Sequence, residues 1–431
     1  MRPANTIQVG LKDHSMMLID CEGHQLKELS EYFSFFVPGH RYMPAFKRRV
    51  WDGKIRLFNQ MTRELNTGLY PHLKKFALDR MYPVQLVDND EFGHPEIKNK
   101  IQHKSLVKYL DSLDAPFEIR DYQYDAISYG IENKRCLLLS PTGSGKSFII
   151  YNLLRWYADN HDKKMLVIVP TTSLVEQLYK DFYEYGLDVE NEVHRIYSGK
   201  DKVTDKRIII STWQSIYRLK FDWFEQFGAV FGDEVHLFKA KSLTGVMNKC
   251  KNAEYRFGTT GTLDGTETNK LVLEGLFGLT HKVIATRDLQ VRGTLAGLDI
   301  NVILLRYHND VCHMMKGKTY AEEVDYIVRH EKRNNFIKNM TLDLKGNTLV
   351  LFQYVEKHGK ELFEIIRKGA EKDRKVFYVS GEVDAKDREQ IRGIVESQKN
   401  AIIVASLGTF STGINICLLY TSDAADEAEG V

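Results

Sequence analysis

Only five cysteines occur in 431 residues, and none of Cys21, Cys136, Cys250, Cys312 and Cys417 belongs to a Cys-x-x-Cys pair. That excludes a zinc ribbon and a disulfide framework, and it fits a reducing cytosol. His308, Cys312 and His313 lie close together, but no second ligand pair accompanies them. Long apolar runs are also missing. The longest, such as Met165–Val169, extend four to six residues, far short of the roughly 20 that span a bilayer. Met1-Arg-Pro-Ala-Asn-Thr6 lacks the apolar core of a secretory signal. Net charge is nearly absent, at +2, so contact with a polyanion has to come from local patches. Fixed-period repeats and low-complexity tracts are absent as well.

What is present is ordinary globular composition, 43% apolar and 27% charged. The length exceeds what one core supports and suggests two or three domains. Residues 1 to about 90 mix short strand-like runs with aromatics and basic residues, and a polar stretch from Asp88 to Lys104 reads as a linker. Strand-like runs then fall at 137–140, 165–170, 207–212, 228–232 and 255–259. Helical patterns lie between them: Leu174, Leu178 and Phe182 recur at i, i+4 and i+8, and Ile149, Leu153 and Trp156 mark another face. Alternation of this kind predicts a parallel sheet covered on both faces. The pattern restarts with runs at 348–353, 376–380 and 401–406 and a long helix around 321–343. The expected architecture is two α/β lobes behind a small α+β module. Its boundaries are 1–104, 105–285, 286–416 and a tail at 417–431.

Leu137-Leu-Leu-Ser-Pro-Thr-Gly-Ser-Gly-Lys-Ser147 is an apolar strand entering a Gly-rich turn and then a helix. Such a turn points backbone N–H groups at phosphates, at the positive end of the helix dipole. Pro141, Thr142, Gly143, Ser144, Gly145, Lys146 and Ser147 would form the cradle. Lys146 would reach the outer phosphates and the Ser147 hydroxyl would take a place on Mg²⁺. The strict pattern has Gly where this chain has Ser140. Asp233-Glu-Val-His236 ends another apolar stretch. Asp233 is suited to hold the same Mg²⁺, and Glu234 to activate an attacking water. ATP and Mg²⁺ are the implied ligands.

At this point the residues resemble superfamily 2 helicases and translocases, over roughly residues 115–416. In that resemblance Arg120-Asp-Tyr-Gln123 is the adenine-reading motif, with Gln123 on the base. Val169-Pro-Thr-Thr-Ser-Leu-Val-Glu-Gln177 is motif Ia, whose Thr171 and Thr172 suit strand phosphates, and Ser211-Thr-Trp-Gln-Ser215 follows with Thr212. Asp233–His236 is a DExH motif, in which His236 has a coupling role. Thr260-Gly-Thr262 is motif III, coupling the ATP state to the nucleic-acid side through Thr260 and Thr262. In the second half, Val350-Leu-Phe-Gln353 is similar to motif IV. Tyr378-Val-Ser-Gly-Glu382 with Arg388 is similar to motif IVa, and Val404 to Asn415 to motif V, with Thr409, Thr412 and Gly413 on the strand. The fold so implied is two RecA-like lobes, the second incomplete. Within the superfamily the likeness is to the UvsW family of T-even bacteriophages, and Trp51-Asp-Gly-Lys-Ile-Arg56 carries it into the N-terminal module.

That module has its own chemistry. Between residues 41 and 58 six cations, Arg41, Lys47, Arg48, Arg49, Lys54 and Arg56, face the single acid Asp52, with Tyr42, Phe46, Trp51 and Phe58 interleaved. Cations neutralise phosphates and aromatics stack on bases, so Lys47, Arg48 and Arg49 are expected on DNA. A core role for Trp51 remains equally open. The family also has arginines in a motif VI beyond motif V. Here, after Ile416, the chain turns small and acidic through Val431, which reads as a foreign tail truncating the second lobe and leaving the chain inactive. The reading is an ATP-dependent DNA helicase or translocase acting on branched DNA or RNA–DNA hybrids in phage replication and recombination, in the cytosol of the infected host. An ATP-gated DNA-binding or strand-annealing protein, and a duplex translocase of the restriction-enzyme type, stay open as alternatives. Nothing marks a membrane partner or fixes an oligomeric state.

Overall fold

The computed structural model describes residues 5–407 apart from 97, 198, 239, 264–266, 296, 298 and 382–397. The chain forms two compact units, one ending at Leu289 and one beginning at Gln290.

The first unit opens with a four-stranded sheet. Ile7–Leu11 (β1) and Met16–Asp20 (β2) pair antiparallel, with Val9 opposite Ile19. Ser34–Phe36 (β3) and Lys54–Arg56 (β4) make a separate ribbon that carries the basic-aromatic run. Glu64–Asn66 (β5) and Val84–Val87 (β6) complete the sheet in the order β5-β2-β1-β6. Ile7, Val9 and Leu11 alternate inward, as period-two patterning requires, and meet Leu29, Leu73 and Phe76 from the helices Gly23–Tyr32 and Tyr70–Asp79.

A seven-stranded sheet follows, all parallel. Its strands are Arg135–Leu139 (β7), Lys164–Val169 (β8), Val193–Ile196 (β9), Ile208–Thr212 (β10), Phe227–Gly232 (β11), Tyr255–Thr260 (β12) and Thr280–Lys282 (β13). They lie in the order β13-β7-β12-β11-β8-β10-β9. All residues of β10, β11 and β12 are buried, because helices on both faces exclude water from a parallel sheet.

The N-terminal sheet is docked on this lobe by polar bonds with no slack. Arg256 is only 1% exposed. Its guanidinium donates to the carbonyls of Ala253 (2.9 Å), Met247 (3.2 Å) and Cys250 (2.5 Å), and to Ser15 Oγ (2.6 Å). His72 meets the buried Glu274 at 2.8 Å. Gly68 presses against the helix Glu267–Phe277 so closely that a Cβ there would sit 2.1 Å from the Glu274 carbonyl oxygen. Gly68→Ala should therefore push the two layers apart and cost about 3 kcal/mol, or roughly 6–12 °C in thermal midpoint. Gly245→Ala, on a helix with open space around it, should match or exceed the parent in the same melts. Equal midpoints for the two variants would show that the docking yields.

In the second unit Thr348–Phe352 (β14), Val376–Val379 (β15) and Ile402–Ser406 (β16) form a parallel sheet in the order β14-β16-β15. Phe352, Ile402 and Val404 pack on Leu362 and Ile366 of the helix Lys360–Gly369. The single helix expected around 321–343 is instead two, Tyr320–Val328 and Glu331–Asp343. His330 breaks it, since its Nδ1 accepts from the Arg333 N–H at 3.2 Å and caps the second helix. Among the described residues no helix is long and apolar enough to cross a membrane.

Candidate functional site

β7 ends at Leu139, and the backbone N–H of Ser140, the next residue, donates to the Thr260 carbonyl of neighbouring β12 at 2.8 Å. The turn that follows needs two left-handed residues, Gly143 (φ +80°) and Gly145 (φ +81°), before the helix Lys146–Asn160 begins. A Cβ on Gly145 would lie 2.4 Å from Gln123 Nε2, so Gly is required there twice over. Ser140 and Ser144 are fully buried. Their hydroxyls meet at 2.6 Å, and Ser144 Oγ reaches the Pro141 carbonyl at 2.5 Å. That explains the departure at Ser140, whose hydroxyl braces the turn from inside. Thr142 and Gly143 are exposed at its crest, over buried Pro141.

Gln123 is buried behind this turn. Its Nε2 donates to the Ser144 carbonyl at 2.9 Å and its Oε1 accepts from Arg120 N–H at 3.0 Å. The side chain expected on adenine thus also holds the turn. Ser147 Oγ lies 2.8 Å from Tyr185 Oη, a partner that sequence reasoning missed.

The carboxylates come from β11, two strands away across β12. Asp233 is 6% exposed, and its Oδ1 accepts from Thr259 Oγ1 at 2.7 Å and Glu234 N–H at 3.0 Å. Burial, and then the Glu234 charge, raise the Asp233 carboxyl above the usual range, while Lys146 opposes them. Glu234 has φ +48°, an uncommon conformation for a side chain with a Cβ. Its Oε1 meets Lys146 Nζ at 2.6 Å, and its Oε2 accepts from Gly261 N–H at 3.4 Å. Thr260 Oγ1 donates to the Thr262 carbonyl at 2.7 Å. His236 Nδ1, 2.6 Å from that hydroxyl, must then carry the proton between them. One cluster thus joins Lys146, Asp233, Glu234, His236 and Thr260. Thr262 is exposed beside it and gives only its carbonyl.

The nucleic-acid candidates are more scattered. Thr171 caps the helix Thr172–Glu184, its Oγ1 accepting from Leu174 N–H at 3.4 Å, and Thr172 is exposed. Thr212 is buried, with its hydroxyl 2.9 Å from Ser215 Oγ, so it faces inward. Gln214 Nε2 ties the two motifs together through the Pro170 carbonyl at 3.2 Å. Lys47, Arg48 and Arg49 are all exposed, and Arg49 has φ +57°. With Arg41, Phe46 and Trp51, Lys47 and Arg49 rim a hollow of about 580 Å³, and Arg48 stands outside it. Phe58 is core. Trp51 is half-buried and donates to the Lys54 carbonyl at 2.9 Å, and Tyr42 is 81% exposed. Glu382, Arg388, Thr409, Thr412, Gly413 and the tail 417–431 lie outside the described residues.

Residues 6–88 match the family described as DNA helicase UvsW, N-terminal, and residues 116–265 the family described as type III restriction enzyme, res subunit. The ATP-dependent DNA helicase uvsW of Enterobacteria phage T4 is 36% identical over 433 residues, covering 96% of this chain and 83% of the relative. Its crystal structure superposes with a TM-score of 0.60 at 34% identity, over 96% of this chain and 82% of that one. The DNA 3'-5' translocase XPB2 of Sulfurisphaera tokodaii is 25% identical over 54% of this chain and 45% of its own length. On the whole-chain match, the chain belongs to the UvsW family of superfamily 2 ATP-dependent DNA helicases.

Proposed function

We propose that this helicase acts on branched DNA, including forks, junctions and RNA–DNA hybrids, during phage replication and recombination in the host cytosol. The ATP-driven part of this reading is supported best by the Lys146–Glu234–Asp233 cluster beyond the ends of β7 and β11, with the phosphate-type turn beside it, and its DNA substrate by the match to a DNA helicase over 96% of the chain. Lys146 would leave Glu234 for the outer phosphates when ATP enters. One hydroxyl, Ser147, and one carboxylate, Asp233, suit Mg²⁺, which takes few protein ligands and completes its shell with phosphate oxygens and water. Bound there, Mg²⁺ supplies charge stabilisation to the transferring phosphoryl group. Glu234 would take the proton of the attacking water, and His236 with Thr260 and Thr262 would pass the change toward the strand. Gln123 would add its remaining amide hydrogen and lone pair to adenine. In this scheme 1–104 is the nucleic-acid module, and 105–285 and 286–416 are the two lobes. Thr171 and Thr172 would line the strand path in the first, where Thr212, turned inward to Ser215, would not, and Thr409, Thr412 and Gly413 would line it in the second.

The test is strand separation on a fork against a linear duplex, with ATP and Mg²⁺. Preferential opening of the fork supports the reading, and equal rates would remove the branched-substrate assignment. The restriction-enzyme match over 116–265 favours a second reading, duplex translocation without unwinding. Displacement of streptavidin from a duplex end without strand separation would select it.

The module's part can be measured separately. Replacing Lys47, Arg48 and Arg49 with Ala should weaken DNA binding alike across sequences, and flatten the slope of log K against log salt by roughly 3 units if each cation neutralises a phosphate. A slope equal to that of the parent would return these residues to solvent.

A further inference from the structure

Ser147 stands beside Lys146 in the first turn of its helix, where its hydroxyl is the group that would meet the metal. In this structure that hydroxyl is turned to Tyr185 Oη, 2.8 Å away. The Tyr185 ring has little freedom. Phe117, Phe148 and Tyr151 meet it edge-on, with centroids at 5.9, 5.1 and 5.4 Å. Its backbone ends the helix Thr172–Glu184, donating to the Asp181 carbonyl at 2.9 Å. The next residues anchor that end, since the Leu187 N–H bonds the carbonyl of buried Phe182 at 2.9 Å. The Tyr185 backbone is thus tied to the end of the helix, and its ring is packed on three sides.

The same helix begins at Thr171 and Thr172, the strand-contact candidates. Its 13 residues make a rigid body about 20 Å long, with those hydroxyls at one end and the Ser147 contact at the other. We infer that Tyr185 is a positioning residue. It restrains the Ser147 hydroxyl while the strand path is empty, and strand binding at the start of the helix relieves that restraint so that Ser147 accepts the metal. The inference rests on the assignment of Ser147 to Mg²⁺ and of Thr171 and Thr172 to the strand. It adds a physical link by which DNA promotes nucleotide use.

The test titrates Mg²⁺ into the full chain with fluorescent ADP, with and without a single-stranded oligonucleotide, and reads nucleotide binding rather than turnover. Tyr185→Phe keeps the ring packing and removes only the hydroxyl. Without DNA its Mg²⁺ half-saturation should fall about fivefold, the weight of one neutral hydrogen bond, toward the value the parent shows with DNA. Adding DNA should then shift it little. Tyr183→Phe, on the same helix and exposed, should behave as the parent. In a Ser147→Ala background, Tyr185→Phe should add nothing, which a general packing effect would not reproduce. An unchanged or raised half-saturation in Tyr185→Phe, or a parent whose half-saturation ignores DNA, overturns the inference alone. A Ser147→Ala protein with parental Mg²⁺ response overturns the site assignment beneath it.

Discussion

Lys146→Ala should lower ATP hydrolysis by at least about 10²–10³-fold, the scale of losing one preorganised charge at a phosphoryl-transfer centre. Two effects combine. The cation that would meet the outer phosphates disappears, and the group against its Nζ is the Glu234 carboxylate, which cannot take over its charge. The same cation is the ion-pair partner of Glu234 and the charge that opposes the elevation of Asp233. Without it two adjacent carboxylates face each other in a buried setting, and Asp233 becomes harder still to ionise for a metal. DNA binding should stay within about twofold, since Lys146 sits far from the N-terminal cations in sequence and serves a different ligand. Hydrolysis and DNA affinity measured on the same preparation decide it. Turnover equal to that of the parent would detach the turn from catalysis.

The parts of this site that could be read from sequence are those whose chemistry is local. A strand, a Gly-rich turn and Lys-Ser occupy consecutive positions, and the central strands β8, β10, β11 and β12 announce themselves as apolar runs because both of their faces are buried. The edge strands β9 and β13 escaped. Val-His-Arg-Ile and Thr-His-Lys carry too little apolar signal, since an edge strand keeps one side wet. The break at His330 escaped because a capping His looks like any helical residue until its ring turns back. Contacts made across the fold left no local trace at all. Thr259 on Asp233, Ser15 on Arg256 and Tyr185 on Ser147 are separated by 26, 241 and 38 residues. Thr212 shows the opposite error: a hydroxyl in the expected motif, spent internally on Ser215.

Glu234→Gln should separate binding from chemistry. The amide cannot take a proton from water, and loss of a general base costs about 10²–10⁴-fold in rate. Binding should survive, because the metal candidates Asp233 and Ser147 are untouched and the left-handed turn at 234 accepts Gln as it accepts Glu. It should even strengthen. In the resting site Glu234 holds Lys146 at 2.6 Å, an interaction that ATP must displace, and its charge is the largest contributor after burial to the elevation of Asp233. A neutral side chain frees the lysine and lets Asp233 ionise more readily, so nucleotide affinity measured with Mg²⁺ should equal or exceed that of the parent while turnover collapses. Such a protein should hold ATP and DNA together without release. A variant that instead lost nucleotide affinity along with turnover would show that Glu234 supports the fold of the site or holds the metal itself, and the water-activating role would pass to another residue of the cluster.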